Sequence, residues 1–183
     1  MKENAMDLKE TQISSCEIYR GRFLDVFEDQ VRLPNGRQAE RIVVRHPGAV
    51  AILAITAEQQ VVLVRQWRYP VDQALLEIPA GKLNGDNEEP MTAALRELAE
   101  ETPFTAESVR LIHTFYTVPG FGDEKMYLYL AESIQRNSLL ETDEDEIIEP
   151  VLMTRDEVLY ALQHNQIHDG KTLVALQYWL LNS

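Results

Sequence analysis

Two short apolar segments constrain the fold of this chain most strongly. Residues 49–55 and 61–67 are rich in Val, Ile, Leu and Ala, and the polar turn 56–60 separates them. Continuous apolar runs of this length are typical of strands that are buried on both faces. We therefore expect the two segments to form central strands of a sheet that carries helices on its faces.

The rest of the chain supplies further strands and the helices. Partial alternation over 23–33, a Pro-Asn-Gly turn at 34–36 and a second strand at 37–46 predict a hairpin. Residues 1–16 are weakly patterned and predict a loose arm or an edge strand. The further elements predicted are strands at 75–78, 109–116, 125–131 and 147–153 and helices at 89–102, after the capping box that begins at Thr154, and at 171–181. This order predicts an α+β protein.

Composition excludes several classes of function. The 183 residues suit one domain with a sizeable core, in which we place Trp67 and Trp179. A formal net charge of -13 argues against nucleic-acid binding, and no apolar run approaches the roughly 20 residues that span a bilayer. The N-terminus lacks an apolar signal core and Cys16 is the only cysteine, so we expect a cytoplasmic protein. The four histidines show no zinc-ligand spacing.

Three glutamates crowd the predicted helix at 89–102. Glu97, Glu100 and Glu101 lie three and four residues apart, and the spacing puts the Glu97–Glu101 pair beside the apolar stripe of Met91, Ala94, Leu95, Leu98 and Thr102. Like charges at this spacing repel, and a divalent cation such as Mg²⁺ removes that cost. The alternative is a solvated acidic face in which Arg96 pairs with Glu100.

The residues around these glutamates resemble the Nudix box. Gly81, Glu88, Arg96-Glu97-Leu98 and Glu100-Glu101 match its glycine, its glutamates and its arginine. Two features depart from the pattern. Six residues, 82–87, stand where the family has five, which we interpret as a lengthened loop. Pro103 replaces the glycine that follows the last glutamate, so the helix must end differently.

The resemblance extends over about 17–181 to the ADP-ribose pyrophosphatase branch of the Nudix superfamily. The segments that carry it are His46-Pro-Gly-Ala-Val50, Arg65-Gln-Trp-Arg68, Glu77-Ile-Pro-Ala-Gly81, Pro119-Gly120 and Asp143-Glu-Asp-Glu146. It implies an α/β/α sandwich around a mixed sheet and a homodimer whose N-terminal strands reach the partner. It therefore implies an N-terminal arm and hairpin at 1–45 that form a dimerisation region, and a hydrolase domain at 46–183. The activity implied is hydrolysis of ADP-ribose to AMP and ribose 5-phosphate, with Mg²⁺ or Mn²⁺ as cofactor.

The same resemblance assigns roles to individual residues. The metal ligands implied are the Ala80 carbonyl, Glu97, Glu100 and Glu101. Arg96 would orient these carboxylates, although a surface ion pair is the alternative, and Glu88 is either a weak site residue or a charge near the helix start. Glu144 and Glu146, in the acidic segment 141–146, are the candidates for the general base, although such runs are usually solvated loops.

Substrate contacts are implied for three further residues. Arg68 matches a phosphate-binding arginine, and Arg45 and Glu124 match positions that contact base or ribose. Glu77 could support the metals. Tyr19, Phe23 and Phe27 could each stack on adenine, but packing in the core or in a dimer explains them as well.

Two kinds of rival function remain at this stage. Within the enzyme class, another nucleoside diphosphate sugar, such as GDP-mannose or ADP-glucose, is the alternative substrate. Outside it, the chain could be a nucleotide-sugar-binding module without turnover. Both the Arg96-Glu97 and the Glu100-Glu101 pairs are kept, which favours an enzyme.

Overall fold

The protein was examined in a computed structural model that describes residues 7–85, 87–137 and 147–182. The described residues form two compact units. One contains the chain up to Pro47 together with Val118–Glu124, and the other contains Gly48–Thr117 together with the chain from Lys125 onward. None of the helices in these described ranges combines the length and the apolar character needed to cross a membrane.

The first unit is built on an antiparallel sheet of three strands. These are β1 (Thr11–Arg20), β2 (Asp25–Arg32) and β3 (Gln38–Arg45), and β2 pairs with both neighbours. The predicted hairpin is confirmed, and Gly36 takes the positive φ of 83° that its turn requires. Of the two expectations for the N-terminal segment, the edge strand is the one observed from Thr11.

The second unit is built on a mixed sheet. Its described strands are β4 (Ala49–Ile55), β5 (Val61–Arg68), β6 (Gln73–Glu77), β7 (Ala80–Lys82), β9 (Arg110–Tyr116), β10 (Lys125–Ala131) and β12 (Ile148–Met153). They follow the order β12-β5-β4-β10-β9, with β6 beside β5 and β7 beside β4. Among these strands, only the pairing between β4 and β10 is parallel. A 3-10 turn, Tyr69–Val71, joins β5 to β6, and β8 (Phe104–Thr105) pairs separately with β11 (Gln135–Arg136).

Helices cover both faces of this sheet, and β4 is therefore buried along its whole length. Ala51, Leu53 and Ile55 pack in one core with α2 (Arg155–Gln163) and α3 (Gly170–Asn182). Val50, Ile52 and Ala54 pack in a second core with α1 (Pro90–Glu101). The expected α+β sandwich is therefore confirmed, and the capping box between Thr154 and Glu157 is present at the start of α2.

Two apolar residues lie elsewhere than the sequence predicted. Trp179 is buried, but Trp67 is 56% exposed, so its assignment to the core was wrong. The buried part of β5 ends at Val64, and the strand beyond it alternates between exposed and half-buried residues. Met91 is also exposed, at the first turn of α1, whereas Ala93 and Ala94 are buried.

The end of α1 shows how Pro103 replaces the expected glycine. Thr102 is extended, with φ -138° and ψ 158°, as a residue before proline favours. Its hydroxyl donates to the Leu98 carbonyl at 2.5 Å and accepts from the Phe104 N–H at 3.2 Å. The helix thus ends without a left-handed residue, and Glu101 keeps its place in the last turn.

Candidate active site

Helix α1 places two of its acidic side chains on its buried side. Glu97 is 9% exposed and Glu101 is 5% exposed, whereas the Glu100 side chain is 45% exposed. At about 100° per residue, positions 97 and 101 lie on the same side of Leu98, which is fully buried. The expected position of the Glu97–Glu101 pair beside the apolar stripe is therefore observed.

Strand β7 receives these two carboxylates. The Glu101 carboxylate accepts a hydrogen bond from the Ala80 N–H at 2.9 Å. The Glu97 carboxylate lies over Gly81, where a Cβ would stand 1.9 Å from its carboxyl carbon and 2.0 and 2.2 Å from its oxygens. Only glycine at this position leaves room for Glu97, so the Ala80-Gly81 backbone and the two glutamates form one contact surface.

Arg96 connects the acidic residues around it. Its Nη1 donates to Glu97 and to Glu100, in each case at 2.7 Å. Its Nε and Nη2 donate to the two carboxylate oxygens of Glu88 at 3.0 and 3.2 Å, and Nη2 also reaches the Lys82 carbonyl at 3.3 Å. Burial alone would lower the pKa of Arg96, but the hydrogen bonds to the three glutamates outweigh it and raise the pKa.

Glu88 lies before α1 and is tied to the lengthened loop. Its carboxylate accepts from the Asn84 N–H at 2.5 Å in addition to the bonds from Arg96. The hydrogen bond from Arg96 is the main cause that lowers the pKa of Glu88, and the Asn84 N–H acts in the same direction. Glu88 therefore fixes the position of Arg96.

A cavity of about 170 Å³ lies beside these residues. The residues that line it are Ala80, Gly81, Lys82, Glu97, Glu100, Glu101 and Ile148. Across the described residues, no three histidine, cysteine or acidic side chains converge closely enough to hold a metal ion between them. The donors on the cavity wall are nevertheless oxygens, which hard divalent cations prefer, and the space over Gly81 admits a carboxylate. The donor set thus fits Mg²⁺ or Mn²⁺.

Arg68, the predicted phosphate-binding residue, lies at the end of β5 and pairs with Glu77 of β6. Its Nε and Nη2 donate to the two oxygens of Glu77 at 2.7 and 2.8 Å. Glu77 is 1% exposed and also pairs with Lys171. The structure thus shows Glu77 bound by two cationic side chains, and the suggestion that Glu77 supports the metals stays a prediction.

The other two predicted substrate contacts belong to the first unit. Arg45 donates to Asp123 at 2.9 Å, and the same carboxylate accepts from the His46 N–H at 2.8 Å. Glu124 lies 3.7 Å from Nε2 of His46. Within the first unit, Arg45-His46 therefore lies against Asp123-Glu124.

The remaining candidates are only partly described. Tyr19 and Phe23 are 58% and 48% exposed, Phe27 is half-buried, and the ring of Phe23 meets His46 edge to face at 5.9 Å. Glu144 and Glu146 lie outside the described residues, as does the acidic segment 141–146 that contains them.

Sequence reasoning missed the residues that complete the environment of Arg68. Lys171, Asp169 and Thr172 form the start of α3, more than 90 positions from Glu77. A local signal did exist: an aspartate stands three residues before Thr172 and its side chain accepts from the Thr172 N–H at 2.9 Å, which is typical of a helix N-cap. That signal predicts a helix start but not its charged partner.

Comparisons with known proteins assign the chain to a family. Residues 45–175 match the NUDIX domain, and residues 10–44 match the nucleoside diphosphate sugar hydrolase N-terminal domain. The chain is 42% identical to an ADP-ribose pyrophosphatase of Bacillus subtilis over 93% of its own length and 92% of that protein. It is also 42% identical, over the same shares, to a methanol dehydrogenase activator of Bacillus methanolicus.

A solved structure supports the same fold. The crystal structure of an ADP compounds hydrolase superposes with a TM-score of 0.79 at 22% identity and covers 94% of each chain. Sequence identity is the same for the two Bacillus relatives, although their names differ. By its NUDIX match over most of its length and by these relatives, the chain belongs to the Nudix hydrolase family.

Proposed function

We propose that the protein hydrolyses the pyrophosphate bond of ADP-ribose to AMP and ribose 5-phosphate. One observation carries this proposal: two buried carboxylates, Glu97 and Glu101, meet the Ala80-Gly81 backbone at the wall of a cavity, and Arg96 holds one of them. In the reaction a water oxygen bonds to one phosphorus while the bridging P–O bond of the pyrophosphate breaks. The water contributes a hydroxyl to one phosphate and a proton to the other product.

A divalent cation is part of the proposal because the substrate is anionic and the chain carries a net charge of -13. Magnesium, or manganese in its place, would be held by Glu97, Glu100, Glu101 and the Ala80 carbonyl, and when bound it would supply positive charge to the pyrophosphate and lower the pKa of the attacking water.

Arg96 has the contacts of an orienting residue. A guanidinium that binds Glu88, Glu97 and Glu100 together restricts the rotation of each carboxylate. The side chain is only 26% exposed, so these bonds are stronger than those of a surface pair. We propose Glu144 or Glu146 as the general base that accepts the proton from water.

We propose substrate contacts for three further side chains, one in the second unit and two in the first. Arg68 would bind a phosphate, since its side chain is 38% exposed while Glu77 fixes its orientation. Arg45 and Glu124 would contact the base or the ribose. Because such contacts do not identify a base, the rival substrates GDP-mannose and ADP-glucose belong in the same test.

The test is a substrate panel with product identification. Purified protein is incubated with ADP-ribose, GDP-mannose and ADP-glucose, with Mg²⁺, with Mn²⁺ and with a chelator. We expect AMP and ribose 5-phosphate from ADP-ribose, more slowly formed products from the other two, and no products with the chelator. Faster turnover of GDP-mannose or ADP-glucose would make that compound the proposed substrate in place of ADP-ribose. Binding of ADP-ribose without any turnover would indicate a nucleotide-sugar-binding module instead of an enzyme.

A pair of variants distinguishes the loss of a glutamate in the proposed site from the loss of a glutamate elsewhere on this acidic protein. Glu101→Gln should lower kcat by about 100-fold or more, because one negative charge is lost from the proposed ligands. Glu107→Gln removes an exposed charge outside the site and should leave kcat unchanged. Equal activity of Glu101→Gln and the wild type would refute the assignment.

We further propose that residues 1–45 form a dimerisation region and that residues 46–183 form the hydrolase domain. Every residue of β1 is exposed, and within the described first unit β1 pairs with β2 alone. An edge strand of this length is a ready surface for a second chain. The exposed single Cys16 on β1 suits a reducing compartment, so we propose a cytoplasmic location.

A further inference from the structure

Glu77 is a buried carboxylate with two cationic partners, one of which is Arg68, the proposed phosphate-binding residue. Glu77 is 1% exposed, which is rare for an acidic residue that lacks compensation. Arg68 donates to both of its oxygens, and Lys171 pairs with the oxygen that Arg68 Nη2 also contacts. Burial alone would raise the pKa of Glu77, but Arg68 and Lys171 outweigh it and hold the pKa below its ordinary value.

Arg68 connects this cluster to the carboxylates of α1. Its guanidinium is bound on one side by Glu77, and the Glu101 charge is among the causes that raise the pKa of Arg68, after the Glu77 hydrogen bond and against burial. The two hydrogen bonds to Glu77 fix the orientation of the guanidinium, so a movement of Glu77 would also move the charge of Arg68.

Lys171 is itself held in place from the other side. Its Nζ lies 3.1 Å from Asp169, and its side chain is 10% exposed. The second oxygen of Asp169 accepts from the Thr172 N–H at 2.9 Å and from its hydroxyl at 2.6 Å. The Thr172 hydroxyl in turn accepts from the Ile78 N–H at 2.8 Å. The start of α3 is thus fixed to the end of β6, next to Glu77.

We infer that Lys171 is a positioning residue for phosphate binding, which acts through Glu77 to hold the guanidinium of Arg68 in one orientation. The inference rests on the proposed function, because it assigns a role to Lys171 within the same site. Without Lys171, Glu77 keeps a single cationic partner and a buried charge that is only partly compensated. The carboxylate can then turn or take up a proton, and either change frees Arg68 to adopt other rotamers.

The first test is steady-state kinetics of Lys171→Met and Lys171→Arg with the best substrate of the panel. We expect Lys171→Met to raise KM by about tenfold while kcat changes by less than about twofold, since binding of the phosphate is weakened before the chemical step. Lys171→Arg restores a cation and should bring KM back to within about threefold of the wild type.

The matched control is Arg155→Met. Arg155 donates to the Leu180 carbonyl at 3.1 Å, so this variant removes a cation that holds the other end of α3. We expect a lower melting temperature with KM unchanged. If Lys171→Met leaves KM unchanged, or if it changes KM no more than Arg155→Met at equal loss of stability, Lys171 has only a structural role and the inference is overturned.

The second test does not depend on turnover. The Nε–H group of Arg68 is hydrogen-bonded to Glu77, so its ¹H–¹⁵N resonance, assigned by its loss in Arg68→Lys, should exchange slowly with water in the wild type. It should shift and exchange faster in Lys171→Met and recover in Lys171→Arg. An unchanged resonance in Lys171→Met overturns the inference, whereas a shifted resonance in a protein that hydrolyses nothing on the panel overturns only the proposed function.

Discussion

The Glu97 carboxylate occupies the space in which any residue other than glycine at position 81 would place its Cβ. The separation would be 1.9 Å to the carboxyl carbon, well inside any van der Waals contact. The motif glycine of β7 is therefore explained here by a side chain rather than by backbone conformation, because Gly81 is not among the residues with positive φ.

Gly81→Ala should displace Glu97 and thereby disable the site. We expect kcat to fall by about 100-fold, since misplacement of a reacting group by about 1 Å has effects of that size. Circular dichroism should show that the fold is retained. Gly120→Ala is the control, because a Cβ there meets nothing within 4 Å, and its kcat should equal that of the wild type. A fully active Gly81→Ala variant would contradict the placement of Glu97 in the site.

Arg96→Lys should lower the catalytic rate and weaken the binding of the metal ion. Lysine keeps the charge but cannot bind Glu88, Glu97 and Glu100 with one planar group. We expect kcat to fall by about 10-fold or more and the magnesium concentration that gives half-maximal activity to rise. Arg65→Lys, which alters an exposed pair with Glu149, should match the wild type in both measurements. Unchanged magnesium dependence in Arg96→Lys would show that Arg96 does not orient metal ligands.

The sequence predicted those parts of the fold and site that depend on local spacing. The 3.6-residue period located α1 and placed Glu97 and Glu101 beside the buried stripe, and the continuous apolar runs located β4. It did not predict that Glu77 meets Lys171, because that contact joins residues 94 positions apart and nothing in either local pattern specifies it. Trp67 was misplaced for a related reason: burial at the end of β5 depends on what covers the strand.

Glu88 should make the free energy of unfolding decrease at acidic pH. The hydrogen bond from Arg96 lowers the pKa of Glu88 in the folded protein. A lowered pKa means that the contribution is complete above the unfolded pKa, about 4.3, and is lost as the pH falls through the folded value. Glu88→Gln should therefore be less stable by about 1 kcal/mol at pH 7, and this difference should disappear as the pH falls through the lowered pKa of Glu88.

Chemical denaturation at several pH values between about 3 and 7 measures this difference. Glu107→Gln serves as the control, because Glu107 is exposed and its replacement should leave the free energy of unfolding unchanged throughout. A constant difference between Glu88→Gln and the wild type across the whole range would mean that the charge of Glu88 contributes nothing to stability.

The exposed strand β1 leads to a prediction about assembly. Ile18 is 56% exposed on a strand whose ten residues are all exposed, and Ile13 and Tyr19 nearby are also exposed apolar residues. If a second copy covers this strand, a charge at position 18 must be buried without a partner, which costs several kcal/mol. We therefore expect the wild type to sediment as a dimer and Ile18→Glu as a monomer. Leu181→Glu places the same charge at an 84% exposed leucine of α3 and should remain dimeric, so equal sedimentation of all three proteins would exclude β1 from any interface between copies.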